Sequence, residues 1–425
     1  MHRIVRSCLS AHRLRRLAAA AIVAAMPAAA SALTWPGPAP CNTTLQDCIE
    51  SAADGDILEV ATDGPIAESV EIFAKSLTLR PAAGFTPVFE GMPSLDAIEA
   101  FGADTPVTVR IEGMTVRGGL IRVYQGGSGL FQAIIDNNVV EADALDFSLT
   151  AIGVGTFGAA PTGPVGFLIY GNVIRFDFLG GDDVSAIAID DLPGETSGII
   201  LANRVIGGGP WSVTHAIRIR NGSGTADFDV SYNRVEAPGY NGGVLIQEDD
   251  AGGTLTARVF NNLVTGSLDN NGPQPGAIVL RADAGNLDAT VLNNTLAGNT
   301  TGFAARVGTG ASLTGVLANT IIAGNTNRGV RIDAAAQFSN EHNLVFGNGS
   351  DDFTPGPGTL LVDPRFVGGG DFHPLPSSPV RDAGNTALAA DIDFDLDGSP
   401  RVLGAEIDIG AWELSERIFA DGFDA

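Results

Sequence analysis

An asparagine returns every 24 to 34 residues along this chain, each time between short runs of β-branched residues. The motif reads IIDNNVV at its first clear occurrence and EHNLVF at its last. The recurring residues are Asn138, Asn172, Asn203, Asn233, Asn262, Asn294, Asn319 and Asn343. A period of this length, with a small polar residue between apolar runs, indicates one structural coil repeated along an axis. We therefore expect one long solenoid rather than several globular domains.

The asparagines are expected to meet one another inside the solenoid. Between residues 106 and 350 the sequence repeats as strand, Gly-rich turn, strand, Asn turn, strand. Stacked coils lie about 4.8 Å apart, so each amide can donate to one neighbour and accept from the other. We predict a structural ladder of all eight asparagines. The segment GMTV takes the motif's place one period earlier, with Gly113 where asparagine later stands.

The first 32 residues have the character of a signal peptide. Five arginines precede an apolar stretch, Leu17 to Ala30, which is too short to span a bilayer and ends at a small-residue cleavage site. Residues 33–105 are then expected to form an N-terminal cap and the first coils. Within them, TTLQDCIESAA at residues 43–53 has helical spacing of its apolar residues and a threonine in the N-cap position.

Charge excludes several classes of partner. The formal net charge is −25, falls to −30 without the leader, and leaves Lys75 as the single lysine. Phosphate neutralisation needs clustered Lys and Arg, so neither nucleic acid nor an anionic membrane surface is an expected partner. No segment after the leader is long and apolar enough for a transmembrane helix. We expect a monomer.

The cysteines point to an oxidising compartment. Cys8 is lost with the leader, which leaves Cys41 and Cys48 with six residues between them. In an exported chain this pair predicts a local disulfide that fixes the N-terminal cap. A zinc site is not expected, because the sequence has no Cys-x-x-Cys and few histidines.

The repeats, together with the opening LQDCIESAADGDILEV, resemble the right-handed parallel β-helix proteins of the pectin-lyase-like superfamily. The resemblance covers roughly Thr43 to Gly347. It implies an all-β fold, a right-handed parallel β-helix with a short N-terminal capping helix and an irregular C-terminal cap. It identifies an architecture and leaves the activity open.

Residues 351–413 carry four blocks in order, LLVDPRF, DFHPLPSSPVRDAGN, DLDGSPR and DIGAWE. They resemble the choice-of-anchor Q domain of exported bacterial β-helix proteins, which implies a cap and delivery to the cell surface. The tail at residues 414–425 is similar to a short aromatic sorting sequence of some Gram-negative bacteria, and can equally be a simple exposed tail. These resemblances predict a secreted or outer-surface protein of a Gram-negative bacterium.

The densest carboxylate run contains Asp393, Asp395 and Asp397, followed by Gly398. Alternate aspartates before a glycine match the start of a Ca²⁺-binding loop. The twelfth position of that loop is Gly404, where a bidentate glutamate is needed. A partial Ca²⁺ site is therefore one prediction, and a carboxylate turn hydrogen-bonded to its own amides is the other.

A column of polar side chains is predicted on one outer face. Aligning the strands by apolar alternation places six residues outward in register: Asp190, Arg220, Gln247, Arg281, Arg306 and Arg331. Four arginines on one face of an acidic rod predict a groove that binds an acidic glycan. The alternative is an ion-pair ladder with the chain's own Asp283 and Asp333.

A second cluster is loosely similar to polygalacturonases. It comprises Asp182 and Asp183, then His215 and the Arg218-Ile-Arg220 segment. His215 lacks the Gly-His-Gly frame, and Arg220 stands where lysine is needed, so we assign no catalytic residue. A glycoside hydrolase with paired carboxylates remains one reading of these residues, and a simple Gly-Asp-Asp turn the other.

Two functions follow from these observations. The first is an exported, non-catalytic β-helix that binds a polysaccharide or cell-surface glycan. The alternative is a Ca²⁺-assisted lyase acting on an acidic polysaccharide. Scarce lysine and histidine favour the first, as do tryptophans that lie far apart in the sequence, at Trp35, Trp211 and Trp412.

Overall fold

The computed structural model describes residues 32–91, 96–142, 150–158, 161–176, 185–190, 192, 194–207, 215–236, 242–268 and 276–414. Residues 1–31 of the predicted signal peptide and most of the tail lie outside these ranges. Within them the chain passes from sheet A to sheet B to sheet C and back, once per coil. Every pairing between coils is parallel. This confirms the predicted right-handed parallel β-helix, since parallel crossover connections are almost always right-handed.

Twelve strands of sheet A are described: β1 Ala32–Trp35, β2 Asp56–Val60, β4 Leu77–Pro81, β7 Val107–Glu112, β10 Phe131–Asp136, β13 Val165–Tyr170, β16 Glu195–Leu201, β19 Thr225–Ser231, β22 Thr254–Phe260, β25 Asn286–Leu292, β28 Ser312–Ala318 and β31 Gln337–Glu341. Ten described strands form sheet B: β5 Val88–Phe89, β8 Thr115–Arg117, β11 Val139–Ala142, β14 Val173–Phe176, β17 Arg204–Gly207, β20 Arg234–Glu236, β23 Leu263–Thr265, β26 Thr295–Ala297, β29 Ile321–Ala323 and β32 Leu344–Phe346.

Ten described strands also form sheet C: β3 Val70–Phe73, β6 Asp96–Phe101, β9 Leu120–Gln125, β12 Thr150–Thr156, β15 Ser185–Asp190, β18 His215–Asn221, β21 Gly242–Glu248, β24 Gly276–Ala282, β27 Thr301–Val307 and β30 Arg328–Ile332.

Alternation along each strand decides which side chains enter the core. In sheet A, Ile111, Ile135, Ile169 and Ile200 lie directly over one another and are at most 1% exposed. Identical columns bury apolar area without voids, which is why the sequence repeats isoleucine and valine at alternate positions.

The N-terminal end is closed by helix α1, Leu45–Ser51. Thr44 is its N-cap and forms a capping box with Asp47. Cys41 and Cys48 form the predicted disulfide beside it. Lys75 donates from Nζ to the carbonyl oxygens of the last turn, at 2.9 to 3.1 Å, so it caps this helix rather than serving as a solvated edge charge. Among the described residues no helix is long and apolar enough to cross a membrane.

The C-terminal end has two parts. Residues 350–362 lie across the last coil, where Asp352 bridges to Arg331 and Leu360 to Leu344. The rest of the module contains the hairpin β33 Phe366–Gly368 and β34 Asp371–Pro374, and a 3₁₀ helix at Thr386–Ala389. This part folds back along the corner between sheets A and B. Its apolar side chains, including Trp412, pack with Phe260 and Leu292. The module therefore braces the side of the β-helix as well as covering its end.

A buried asparagine ladder follows the corner between sheets A and B. Asn138 donates from Nδ2 to Oδ1 of Asn172 at 3.0 Å, and the same bond repeats in each following coil. The continuing pairs, at 2.9 to 3.1 Å, are Asn172–Asn203, Asn203–Asn233, Asn233–Asn262 and Asn262–Asn294. These side chains are at most 1% exposed. One period earlier, Met114 rather than Gly113 occupies the ladder position, because Thr115 pairs with Val139.

Asn319 is a wrong prediction within this ladder. Thr320 takes the ladder position, receiving a hydrogen bond on Oγ1 from the amide of Asn294 and donating its own amide to Oδ1 of Asn343. Asn319 is the residue before it, at φ 51°, where the corner needs a left-handed backbone. Its side chain points outward and donates to the carbonyl of Asn385 in the C-terminal module at 3.1 Å.

The corner residues form a second, outward row. Tyr232 and Asn261 donate to the carbonyl of Phe394 at 3.0 and 2.7 Å, and Asn293 donates to the carbonyl of Asp408 at 3.2 Å. All three have positive φ. Two successive residues at each of these corners therefore make different contacts. The first bonds to the C-terminal module, and the second belongs to the asparagine ladder.

A shorter asparagine ladder occupies the corner between sheets B and C. Asn299 donates from Nδ2 to Oδ1 of Asn325 at 3.2 Å, and Asn325 does the same to Asn348 at 2.9 Å. A Gly-Asn pair after each of the last three sheet B strands was the sequence signal for this ladder, because the glycines at 298, 324 and 347 all have positive φ.

Candidate functional site

The outer face of sheet C carries the predicted polar column. Parallel register places Asp190 beside Arg220, Arg220 beside Gln247, Gln247 beside Arg281 and Arg281 beside Arg306. Five of the six predicted residues therefore stand in one row, one per coil.

Arg331 does not belong to this row. It pairs with Ala304, two residues before Arg306, because the inward side chains Val330 and Ile332 lie opposite Phe303 and Ala305. Packing of the core decides the register of β30, and it shifts Arg331 into the neighbouring outward row. Apolar alternation alone cannot detect a shift of two residues, since both registers keep the same face buried.

The chain's own aspartates occupy much of the column. Arg220 pairs with Asp249 at 3.2 Å, and Arg281 pairs with Asp283. Gln247 donates to Asp249 at 2.7 Å and to Asp283 at 2.9 Å. These contacts are the internal ion pairs that the sequence analysis gave as the alternative to a glycan-binding groove.

The most positive part of the column lies around Arg306. Burial, followed by the neighbouring Arg331, lowers the pKa of Arg306, and Asp333 acts in the opposite direction. Arg331 itself is 3.4 Å from Asp333. Cationic character is therefore concentrated at the C-terminal end of the face.

A groove of about 300 Å³ opens at the N-terminal end of the same face. Four neighbouring strands, β9, β12, β15 and β18, supply most of its lining: Arg122, Tyr124, Thr150, Gly153, Val154, Gly155, Thr156, Ala188, Asp190 and Arg218. Gly153 and Gly155 form its floor, because β12 carries glycine at two successive outward positions. Ala188 extends this floor into the next coil.

Among the described residues, none requires glycine at these two floor positions. Glycine in the middle of a strand weakens it, and neither residue has the positive φ that would require glycine. A Cβ on Gly155 would come no closer than 3.7 Å to Tyr124, and one on Gly153 no closer than 3.6 Å to Thr150. Both are ordinary contacts. Glycine inside a strand is typical of a place where a ligand or another segment approaches the sheet closely.

Ion pairs fix the walls of the groove. Arg218 forms a two-pronged pair with Asp190, with N–O distances of 3.1 and 2.7 Å. On the other side Arg122 contacts Asp96 at 3.0 Å and donates to Oη of Tyr124 at 3.2 Å. Each arginine is thus oriented and largely neutralised before any ligand arrives. The walls offer rigid hydrogen-bonding groups with little net charge.

A larger cavity of about 550 Å³ lies between the corner of sheets A and B and the C-terminal module. Its charged side chains are engaged in holding the module or one another. Arg234 pairs with Asp397 at 2.5 Å, and Arg204 pairs with Glu236 at 3.2 Å. We regard it as a seam between two parts of the chain, and the sheet C groove as the better candidate site.

The catalytic alternative finds little support in the described residues. Asp182 and Asp183 lie outside them. His215 is 2% exposed, so it faces the interior rather than the groove. Arg218 and Arg220 are held by Asp190 and Asp249.

The three aspartates predicted to bind Ca²⁺ have separate roles. Asp395 is buried and accepts from the amides of Asp397, Ser399 and Glu413 at 2.7 to 3.0 Å. Asp397 faces His373, while Asp393 is exposed. Within the described part of the chain, no group of three or more His, Cys, Asp or Glu is arranged to hold a metal ion. Asp395 therefore accepts hydrogen bonds from the amides of its own turn.

Sequence reasoning singled out Asp190 and Arg218 but missed the other groove residues. The available signal was AIGVGT, a strand pattern with glycine at consecutive outward positions, following LIRVYQ one coil earlier with Arg122 and Tyr124 at the matching positions. Reading it requires the register between coils, which only the structure supplies.

Neither a protein-family model nor a curated protein matches the chain. Among solved structures, the chain is similar to one described as XylC in complex with xylose. Identity is 10%, the TM-score is 0.46, and the match covers 91% of this chain and 99% of that one. At this level the likeness carries no inference, and the fold rests on the sheets themselves.

Proposed function

We propose that the protein is a non-catalytic carbohydrate-binding β-helix that holds a neutral sugar in the sheet C groove. The observation that carries this proposal is the pair of outward glycines, Gly153 and Gly155, between Tyr124 and the Arg218–Asp190 pair. A flat floor beside an aromatic ring, with fixed polar groups opposite, suits a ring that is apolar on its faces and hydroxylated at its rim.

The electrostatics favour a neutral ligand in the groove itself. Arg218 and Arg122 already face Asp190 and Asp96, so a carboxylate would have to displace an existing partner. Hydroxyl groups can accept from the outer guanidinium N–H groups and donate to the carboxylate oxygens without breaking the pairs. Because the ionisable groups of the walls hold one another, this geometry favours binding over proton transfer.

A longer chain would continue along the polar column. Arg220, Gln247, Arg281 and Arg306 follow Asp190 at one residue per coil, about 4.8 Å apart. Arg306, which is surrounded by more arginines than aspartates, suits an acidic unit further along the glycan. The groove would therefore bind one sugar unit, and the column would extend the contact.

Export to the surface of a Gram-negative cell belongs to the same proposal. The leader at residues 1–32 and the choice-of-anchor Q resemblance of residues 351–413 support it. The Cys41–Cys48 disulfide is typical of an oxidising compartment.

Titration calorimetry with neutral and acidic oligosaccharides tests this function. The wild type is compared with Tyr124→Ala and with Thr256→Ala, an exposed sheet A position that serves as control. We expect at least one neutral oligosaccharide to bind, with at least tenfold loss in Tyr124→Ala and no loss in the control. Absence of binding across the panel, or equal binding by Tyr124→Ala, would overturn the proposal. Ultraviolet absorbance from unsaturated ends, with and without Ca²⁺, would reveal the lyase alternative.

A further inference from the structure

An aromatic platform adjoins the groove on its N-terminal side. Phe73, Phe101 and Tyr124 stand in one outward row of sheet C, because Phe73 pairs with Phe101 and Phe101 with Tyr124. Phe157 follows β12 and leans over the same row. We call these four residues the aromatic platform.

The rings are in mutual contact. Phe101 stacks on Tyr124 with centroids 5.4 Å apart and planes inclined by 20°. Phe157 meets Phe101 edge to face at 5.1 Å, and Phe73 lies 5.7 Å from Phe101 on the other side. Such spacings are typical of favourable aromatic pairs.

Contacts among the four rings bury only some of the aromatic surface of the platform. Phe101 is 6% exposed and is satisfied by its neighbours, whereas Phe73 is 61% exposed and Phe157 55%. Phe73 and Phe157 both contact Phe101, so the two exposed rings belong to one aromatic cluster, and clustered exposed apolar side chains are typical of a binding surface. Phenylalanine also offers no hydrogen-bonding group, so the surface selects an apolar moiety rather than a sugar hydroxyl.

The surroundings of the platform are acidic. Glu71 and Glu99 stand side by side in the adjacent outward row. Burial, then Asp96 and Glu71, raises the pKa of Glu99, whereas Arg122 acts in the opposite direction. An anionic ligand such as a free aromatic or fatty acid is therefore disfavoured, and a neutral group is favoured.

Tyr124 joins the two sites, because it belongs both to the platform and to the wall of the groove. We propose that the protein recognises glycosides or glycans that carry a neutral aryl substituent, with the sugar in the groove and the aryl ring on Phe73 and Phe157. This inference rests on the proposed carbohydrate binding and specifies the class of ligand. An aryl ring is the occupant that matches the geometry, since planar rings already pack on one another there.

The experiment compares phenyl and methyl glycosides of the same neutral sugar, using the sugar that the oligosaccharide panel identifies. We expect the wild type to bind the phenyl glycoside at least tenfold more tightly. Phe73→Ala/Phe157→Ala should lower this affinity to that of the methyl glycoside and leave methyl glycoside binding unchanged. Phe346→Ala, an exposed phenylalanine on sheet B, is the matched control and should change neither.

The outcomes separate the two proposals. If methyl and phenyl glycosides bind equally, the aryl inference is overturned and carbohydrate binding stands. If the double variant keeps the preference, the platform is not the aryl site, which also overturns the inference. An octyl glycoside that binds as tightly as the phenyl glycoside would replace aryl recognition by recognition of any apolar chain. If no glycoside binds, carbohydrate binding itself fails, and the aryl inference fails with it.

Discussion

Asn203 donates from Nδ2 to Oδ1 of Asn233 at 3.1 Å, and both side chains are at most 1% exposed. Asn203 also accepts from the amide of Asn172 and donates to the carbonyl of Ile169. Asn203→Ala therefore leaves several buried polar groups without partners. We expect a loss of unfolding free energy on the order of 3 kcal/mol, measured by urea unfolding. Thr256→Ala, at an exposed position, should stay within about 0.5 kcal/mol. A loss below about 1 kcal/mol in Asn203→Ala would show that the ladder adds little.

Gly155→Ala separates stability from function. Its new Cβ meets only ordinary contacts, and alanine restricts the unfolded chain more than glycine does. Stability should be unchanged or rise by about 0.5 to 1 kcal/mol. Binding of the neutral oligosaccharide should weaken at least tenfold, because the methyl group stands on the groove floor. Thermal unfolding and calorimetry on the same sample check both statements. Full binding by this variant would mean that no ligand approaches the floor.

The polar column predicts a dependence on ligand length. Arg281→Ala/Arg306→Ala removes two side chains that lie several coils from the groove. We expect unchanged affinity for a ligand that fills only the groove, and about tenfold weaker binding of a long acidic oligosaccharide. Calorimetry with both ligands measures the difference. Equal affinities of the variant and wild type for the long ligand would remove the column from the binding surface.

His373 links the hairpin to the rest of the C-terminal module through Nε2 and bonds within the hairpin through Nδ1. Nδ1 faces Asp371 at 2.5 Å and Nε2 faces Asp397 at 2.9 Å, while Trp412 packs on the ring and Arg234 also contacts Asp397. Burial works to lower the pKa of His373, but the hydrogen bonds to Asp371 and Asp397 prevail and raise it.

Because the folded pKa of His373 is raised, its stabilising effect is complete below the unfolded value of about 6.5 and is lost as the pH rises through the folded value. We expect the thermal midpoint to fall by a few degrees across this range. His373→Gln should have a lower midpoint at pH 6 and a flatter dependence above it. A parallel pH profile for variant and wild type would contradict this role.

Glu413 is expected to make the stability of the fold depend on pH in a second, lower pH range. Its carboxyl is 1% exposed beside Arg401, and burial raises its pKa to about 7 despite that arginine. Between these two pKa values the folded state retains a proton that the unfolded chain releases, so the stability contributed by this group is complete below about pH 4.5 and is lost as the pH rises through about 7. Ionising this group in the fold costs on the order of 3 kcal/mol. Urea unfolding followed by tryptophan fluorescence should show this slope in the wild type and lose it in Glu413→Gln. The same slope in both proteins would assign it to other groups.

Much of the architecture was predictable from the repeat alone. Periodic asparagines, alternating valine and isoleucine, and a capped helix before the first coil each impose a local geometry, and these geometries agree with a single fold. The disulfide was predicted from Cys41 and Cys48, which lie close together in the sequence. The limits of local reasoning appear at Asn319, since either residue of an Asn-Thr pair can enter the ladder and only the stacking of coils selects Thr320.

What the sequence determined by itself is the repeating coil, because its period and alternation are encoded within each stretch of about thirty residues. What the tertiary structure decided is how separate coils align. Arg122, Gly155 and Arg218 are far apart in the chain and become walls and floor of one groove only through parallel register. The position of Arg331 and the folding back of the C-terminal module were likewise settled by packing. Side-chain contacts between distant segments, which leave no periodic trace in the sequence, select one register among several that local preference allows.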